Sequence, residues 1–453
     1  MPEKNQNSYF EEQCRSIPVV EQADVVVCGS GPAGIAAALS AARSGAKTTL
    51  IEVHGCLGGV WTAGMLSWVI DSHDKPGIMK EIIARLDQRG ARTLRVEDGR
   101  SFGYDIEQMK LLLEEMMLEA GVRVLIHTRI VAVGCDQRDH VDVVITESKS
   151  GRQAIKGACF IDATGDGDLA AFAGCSYDLG RPEDGGCQPM SLMAVVSGVR
   201  KDEIKPFIGG GLREPKARLL AEFKRAGVAP SYSAPTLFKI HDELYGMMAN
   251  HQYDVSAVNS EQISAATLTA RAEIHRLVAA LRSLGPPWDQ LYIVGTAEQI
   301  GVREGRRIHG EYVVRMQDLI EGVRHEDAIC RVCFGIDVHS TDDKVSQDFA
   351  SENKTKTLPY DIPYRALIAK GFGNLLLSGR CISGDFFAHA SYRVTGNAVT
   401  MGQGAGVAAA LIAKNSQRAL EVSWADIEKG MDAINKKVSE TYLNSEPDQL
   451  VYV

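Results

Sequence analysis

The stretch "DVVVCGSGPAGIAAALSAARSGAKTTLIE", Asp24 to Glu52, decides the fold. Residues 24–28 form a short continuous apolar run, the pattern of a strand buried on both faces. "GSGPAG" follows at 29–34, then an Ala-rich run over 35–43 stopped by Gly45, a natural helix end. "KTTLIE" at 47–52 supplies a second strand. Gly29 permits a tight strand-to-helix turn, Gly31 lets the backbone approach a pyrophosphate, and Gly34 lets helix and strand pack closely. The helix start offers free N–H groups and the positive end of a dipole to the phosphates. Glu52 closes the second strand about 20 residues on, where it can accept hydrogen bonds from a ribose. Strand, glycines, helix, strand and acid in register point to a dinucleotide site; the glycines alone would not.

Outward from this motif the chain is ordinary for a globular protein. Its 453 residues suit two domains, or one large domain carrying an insertion. It is 45% hydrophobic and 24% charged, and its 44 glycines suggest many tight turns. A net charge of −9 argues against a nucleic-acid partner, which needs a basic face. No run approaches 18 unbroken apolar residues and the first 20 residues carry no leader pattern, so neither a membrane span nor secretion is expected. Ten scattered cysteines are not a disulfide framework and suit a reducing cytoplasm.

No second GxGxxG follows a strand, so the chain lacks the paired motifs of an enzyme that passes electrons from NADPH to FAD through two such domains. Instead "VHGCLGGVWTAGM" at 53–65 offers Gly58-Gly59 for another close approach to a phosphate or ribityl chain. "ACFIDATGDGD" at 158–168 is an apolar strand ending in Ala163, Thr164 and Gly165, small enough to sit against a nucleotide. A helix lies between them at 105–119, followed by strands over 122–133. With "REGRRIHGEYVV", "GIDVHS" and "PYRALIAKGFGNLLLSGRCIS", these motifs resemble the FAD-dependent oxidoreductase family of the glutathione-reductase-type Rossmann superfamily, over about residues 23–414.

That resemblance implies FAD as cofactor. It places Gly29, Gly31, Ala33 and Gly34 on the pyrophosphate, with Pro32 at the helix start, and Glu52 on the adenosine ribose, followed by Val53. The loop Gly58, Gly59, Val60, Trp61, Thr62 would line the ribityl chain and flavin. Ile130 and Val131 would present backbone to the adenine, and Ala163, Thr164 and Gly165 would pack on the nucleotide. The family often has an Arg just after the acid; here Val53-His54 stand there, leaving the outer adenosine contacts open.

The second informative stretch is "SGRCISGDFFAHASYRVTGNAVTMGQG" at 378–404. In related flavoproteins a Gly-Asp pair such as Gly384-Asp385 holds a ribityl hydroxyl; a turn acid or helix cap is the other reading of Asp385. The small-residue helix after it would aim N–H groups of residues 395–398, including Gly396, Asn397 and Ala398, at the flavin O2 edge. His389 and His339 are the candidate proton-transfer residues, against structural roles for both. Asp337 and His339 would point to one face of a strand over 330–340. Arg393 would orient a carboxylate or polarise a carbonyl, or form a structural ion pair. The cluster Arg303, Arg306, Arg307 and His309 could grip an anionic substrate or tie two domains together. Cys330 and Cys333 would face opposite sides of a strand, which disfavours a disulfide. Cys56 and His54 lie near the flavin loop, but non-covalent FAD is the expectation. Asp162, Asp166 and Asp168 lack the spacing of a calcium loop, and no metal is expected.

The expected fold is α/β: a glutathione-reductase-like Rossmann FAD-binding domain at 20–175 and 356–415, an inserted α+β substrate domain at 176–355, an arm at 1–19, and a C-terminal helix and tail at 416–453. The expected function is hydride transfer between a small organic substrate and non-covalently bound FAD. A monooxygenase using NAD(P)H and O2, or a tRNA-modification-type flavoprotein, are the rivals. Such enzymes are commonly homo-oligomers, and no motif names an external electron donor or acceptor.

Overall fold

The computed structural model describes residues 10–95, 99–137, 139–209, 212–339 and 355–443. Residues 1–9 of the expected arm, 340–354 at the close of the expected insertion, and 444–453 of the expected tail lie outside the described residues.

Strand β1 (Val19–Cys28) runs parallel to β2 (Thr48–Ile51) on one side and to the strand Gly151–Asp162 on the other. Arg123–Leu125 extends the sheet beyond β2, and Leu375–Leu377 pairs in parallel with the end of Gly151–Asp162. The first half of Gly151–Asp162 instead joins an antiparallel meander with His140–Ser148 and Arg129–Gln137. All four residues of β2 are buried, and so are Val25–Cys28 of β1, as their apolar run requires. This is the expected Rossmann-type α/β arrangement, and residue 375 enters it beside residue 160 although 215 positions separate them.

The two ends of the chain meet again in the helices. Helix α1 (Pro32–Arg43) packs on the helix Thr395–Asn415 with almost no side-chain spacing. A Cβ at Gly402 would lie 2.1 Å from the Ala33 carbonyl oxygen, and one at Gly406 would lie 2.2 Å from that of Ala37. The glycines of "GQGAG" are therefore packing residues. They draw the late helix against the early one, so its N-terminus reaches the same edge of the sheet as the first glycine turn.

A second, antiparallel sheet runs in the order Thr236–Lys239, Tyr245–Met248, Ala194–Ser197, Tyr292–Thr296. With the helix Ser260–Arg282 it encloses its own core, including Leu192, Met247, Ile274, Leu277 and Trp288. Trp68, from the early part of the chain, is buried in that second core. Conversely Ile308, Val314, Leu319, Ile329 and Val332 belong to the larger core with Val25 and Leu39. The chain thus rejoins the first core well before residue 356, because Ala328–Val332 pairs antiparallel with Tyr360–Pro363. The strand expected over 330–340 stops at Val332. There the Asp71 Oδ2 accepts hydrogen bonds from the Cys333 and Phe334 N–H groups at 3.0 and 3.2 Å, diverting two donors from the ladder. Helix Ile106–Glu119 falls where its periodicity predicts, and Trp424–Val438 lies within the expected C-terminal helix region. No helix among the described residues is long and apolar enough to cross a membrane.

Candidate functional site

A single cleft of about 280 Å³ runs from the Gly29 turn to the edge of the second sheet. At its outer end stand Gly29, Gly31, Pro32, Ala33, Glu52, Val53, Gly59, Val60 and Ile130, with Ala163, Thr164 and Gly165 along the floor. Gly29, at φ +95°, makes the turn: a Cβ there would sit 2.4 Å from the Ala163 oxygen. A Cβ at Gly31 would meet nothing within 4 Å, so a side chain there would project into the open cleft. Glu52 is fixed by its neighbours: Ser30 donates its N–H and hydroxyl to Oε2 at 2.7 and 2.6 Å, and His54 donates its N–H to Oε1 at 2.9 Å. Arg129 also lines the cleft, one residue beyond Thr128, whose N–H bonds the Glu52 carbonyl at 2.9 Å.

Two helix N-termini border this cleft, α1 through Gly31–Ala33 and the later helix through Val394, Thr395 and Ala398. Neither has an acidic residue in its first turn, so both dipole ends remain available to an anionic or electron-rich ligand. The open cradle at Gly31, the fixed acid at Glu52 and the paired helix termini fit FAD.

Several expected contacts lie elsewhere. Gly34 packs helix on strand, a Cβ there meeting the Gly29 oxygen at 1.8 Å. Gly58 bends the loop at φ +110° and donates its N–H to the Ser30 carbonyl at 2.9 Å. Trp61 is fully buried against the edge of Tyr104, Thr62 donates its hydroxyl to the Leu57 carbonyl at 2.5 Å, and Val131 is off the cleft. Gly396 packs on Asp71, where a Cβ would sit 2.2 Å from the carbonyl oxygen, and Asn397 accepts from the Cys330 thiol at 3.7 Å.

The Gly-Asp pair is the clearest correction. Gly384 is covered by the Tyr392 ring, 2.5 Å from where its Cβ would stand. Both oxygens of Asp385 are committed, accepting from Ala388 N–H at 2.8 Å as the cap of the helix Phe386–Tyr392 and from Met316 N–H at 2.7 Å. Ser378, Gly379 and Arg380 line the cleft instead, directly after the strand Leu375–Leu377. Gly379 takes φ +84°, and Arg380 pairs with Asp166 at 2.7 Å. The signal was present in "LLLSGR": a glycine two residues beyond a buried parallel strand.

At the inner end the cleft is walled by Leu66, Trp68, Met193, Met248 and Ile300 and carries Arg303 and Arg393. Arg303 donates to the Ser191 hydroxyl at 2.9 Å, to the Pro189 carbonyl and to His251 Nε2 at 3.2 Å. Arg393 donates to the Asp337 carbonyl at 3.0 Å and approaches its carboxylate at 3.4 Å. That carboxylate also lies 3.4 Å from His339 Nε2. Burial pushes the Asp337 carboxyl upward, but His339, Arg393 and Arg303 outweigh it and hold it well below the usual range. Burial and the Arg303 charge lower His339, against the pull of Asp337, so the imidazole is neutral near pH 7. The His339 and His251 rings lie 5.1 Å apart, and His251 stacks on Tyr232 at 4.1 Å.

His389 is sealed away from the cleft, fully buried, with no hydrogen-bond partner for either ring nitrogen among the described residues. Burial and the charges of Arg307, Arg393 and Arg380 keep it neutral. The arginine cluster divides: Arg303 faces the cleft, whereas Arg306 pairs with Asp168 at 2.8 Å, Arg307 with Glu304 at 2.5 Å and His309 with Asp178 at 3.2 Å. Asp162 accepts from Thr164 and Ala170, so the three acids weighed as a metal loop serve separate partners. His251, Gln299 and Arg129 had no motif to mark them, and Arg380 stood inside "LLLSGR" without being assigned.

Residues 24–431 match the family model described as FAD dependent oxidoreductase. No curated protein matches. Among solved structures, p-nitrophenol 4-monooxygenase PnpA from Pseudomonas putida DLL-E4 is similar at 11% identity and TM-score 0.48, covering 93% of this chain and 87% of that one. The myxobacterial chondrochloren halogenase CndH is similar at 13% identity and TM-score 0.46, covering 93% and 81%. A geranylgeranyl bacteriochlorophyll reductase-like protein from Thermoplasma acidophilum is similar at 14% identity and TM-score 0.44, covering 93% and 84%.

Proposed function

The chain belongs to the FAD-dependent oxidoreductase family, and from that premise we propose that it transfers a hydride between a small organic substrate and non-covalently bound FAD in this cleft. The observation that carries the reading is the continuity of the cleft, from the Gly31 cradle to Arg303 and Arg393. FAD supplies a two-electron acceptor or donor for hydride. Glu52 and the Gly29–Ala33 turn hold the adenosine and pyrophosphate portion, while the N-terminus of Thr395–Asn415 favours electron density gathering nearby. The apolar wall excludes water from the substrate. His339, neutral and held beside Asp337, takes the proton from the substrate O–H or N–H as the neighbouring C–H bond gives up its hydrogen with both electrons. The reverse reaction returns that proton. Asp337 stabilises the imidazolium formed.

The test begins with the visible spectrum of the purified protein, then anaerobic bleaching by candidate substrates. Wild type is expected to be yellow and to release FAD on denaturation. His339→Gln is expected to keep its FAD and lose about 100-fold or more in bleaching rate, together with the acidic limb of the rate–pH profile. An unchanged profile removes His339 from this role. Rapid bleaching by NADPH alone would replace the reading with a monooxygenase.

A further inference from the structure

Among the described residues, the inner end of the cleft holds more positive charge than its neighbours neutralise. Arg303 finds only neutral partners: the Pro189 carbonyl, the Ser191 hydroxyl, the His251 imidazole and, at 3.8 Å, the Met248 sulfur. Among the described residues no carboxylate forms an ion pair with it. Arg393 has Asp337, whose carboxylate is 40% exposed and shared with His339. Two guanidiniums therefore share the Asp337 carboxylate, since Glu304, the other acid near Arg393, is taken up by Arg307 at 2.5 Å. The Arg393 Nε is buried and has no partner among the described residues. Burial and the Arg393 charge draw Arg303 down to about 10, still cationic at neutral pH.

His251 fixes this arrangement. Its Nε2 accepts from Arg303, so the proton sits on Nδ1, 3.3 Å from the Tyr253 hydroxyl. A histidine locked as acceptor cannot neutralise the arginine; it aims it. A charge set partly out of water without a counter-ion is costly, and a guanidinium fork matches a carboxylate by two parallel hydrogen bonds. Around the pair the surface is apolar and adaptable, with Trp68, Met193 and Met248.

Resting on the functional reading above, we propose that the substrate is a small organic carboxylate with an apolar body, its carboxylate held between Arg303 and Arg393 and its hydrocarbon part against Trp68, Met193 and Met248. The carboxylate supplies the missing negative charge. His339 lies 3.4 Å from the same Asp337 carboxylate that lies 3.4 Å from Arg393, which sets it to serve an O–H or N–H close to the substrate carboxylate.

The experiment is calorimetric titration of the FAD-loaded protein with acetate, butanoate and benzoate, each against its uncharged amide of nearly the same shape. Butanoate and benzoate are expected to bind at least about tenfold more tightly than butanamide and benzamide. Arg303→Gln and Arg393→Gln should each remove about tenfold or more of the carboxylate affinity while leaving the amides unchanged. Arg303→Lys should recover part of it. FAD stoichiometry, measured on every variant, shows whether the cleft has kept its fold. Equal binding of acid and amide, saturable binding of neither by wild type, or full carboxylate affinity in both Gln variants would overturn the proposal. Calorimetry reads the carboxylate without reference to colour. A colourless protein that still prefers acids would sink the cofactor reading alone, and a yellow one with no preference would sink this proposal alone.

Discussion

The two ends of the cleft are built by opposite means. The outer end is made of backbone: Gly29, Gly31, Gly59 and Ala163–Gly165 come from three short segments, and what matters there is the absence of side chains. The inner end is made of side chains that converge from separate segments, at Trp68, Ser191, Met193, Met248, Arg303 and Arg393, with His251 bonded to Arg303 and the Asp337–His339 pair beside Arg393. A backbone requirement restricts residue type at each position and spacing between positions, so it leaves a pattern. A convergence of charges restricts neither, because a loop can bring an arginine from any distance at little extra closure entropy.

The sharpest way to break the comparison is to put methyl groups at the outer end. Gly34→Ala places a Cβ 1.8 Å from the Gly29 oxygen, a clash that only backbone movement relieves. It is expected to destabilise the protein by about 3 kcal/mol or more, read by denaturant unfolding. Gly31→Val should do the reverse. Its φ of −61° is ordinary for any residue and the space beside it is open, so stability should change little while FAD binding weakens at least tenfold as the side chain fills the cradle. Equal stability loss in both variants would mean that the two glycines do one job.

Asp385 tests the boundary between the two kinds of site. In sequence it looks like a ligand of the cofactor; in the structure it caps a helix and ties Met316 to it. Asp385→Ala should therefore cost about 2 kcal/mol of stability, the upper part of the range for a lost cap, with FAD affinity unchanged once the protein is folded. Loss of FAD affinity without loss of stability would restore the ribityl reading.

These differences show what the sequence could carry. The parallel sheet, the first turn and the pairing of residues 29–34 with the 395–415 helix were legible, because apolar runs and glycines at fixed offsets have few other uses. Gly379 was legible in principle, sitting just past a three-Leu strand, but the conspicuous Gly384-Asp385 pair five residues later drew the assignment. His389 and His339 look alike in sequence. Both are buried, and their partners separate them: His389 sits at the edge of Tyr392 with no hydrogen-bond partner among the described residues, whereas His339 stands beside Asp337 and His251. Arg303 and Arg307 lie four positions apart, yet one opens on the cleft and the other is spent on Glu304. No spacing rule distinguishes them, since the choice depends on which acid the fold brings near.

The smallest expected effect concerns His389. Its imidazole is buried with no partner among the described residues, and burial and the charges of Arg307, Arg393 and Arg380 strongly oppose its protonation in the folded state. In the unfolded chain it titrates near the ordinary value of 6.5. Below that value the unfolded state binds a proton that the native state does not, so stability must fall as the pH falls. His251 and His339 are lowered too and add to the same slope, each by at most about 1.4 kcal/mol per pH unit. Replacing His389 with Leu removes one proton from the difference. The variant should unfold with a shallower dependence between about pH 6.5 and pH 5.5, gaining up to about 1.4 kcal/mol relative to wild type over that unit, while the bleaching rate of the FAD-loaded enzyme stays as in wild type. An unaltered slope would mean that His389 takes up its proton in the native state, which requires an acceptor reaching it inside the fold. A lost bleaching rate would return it to the reaction and make His339 the bystander.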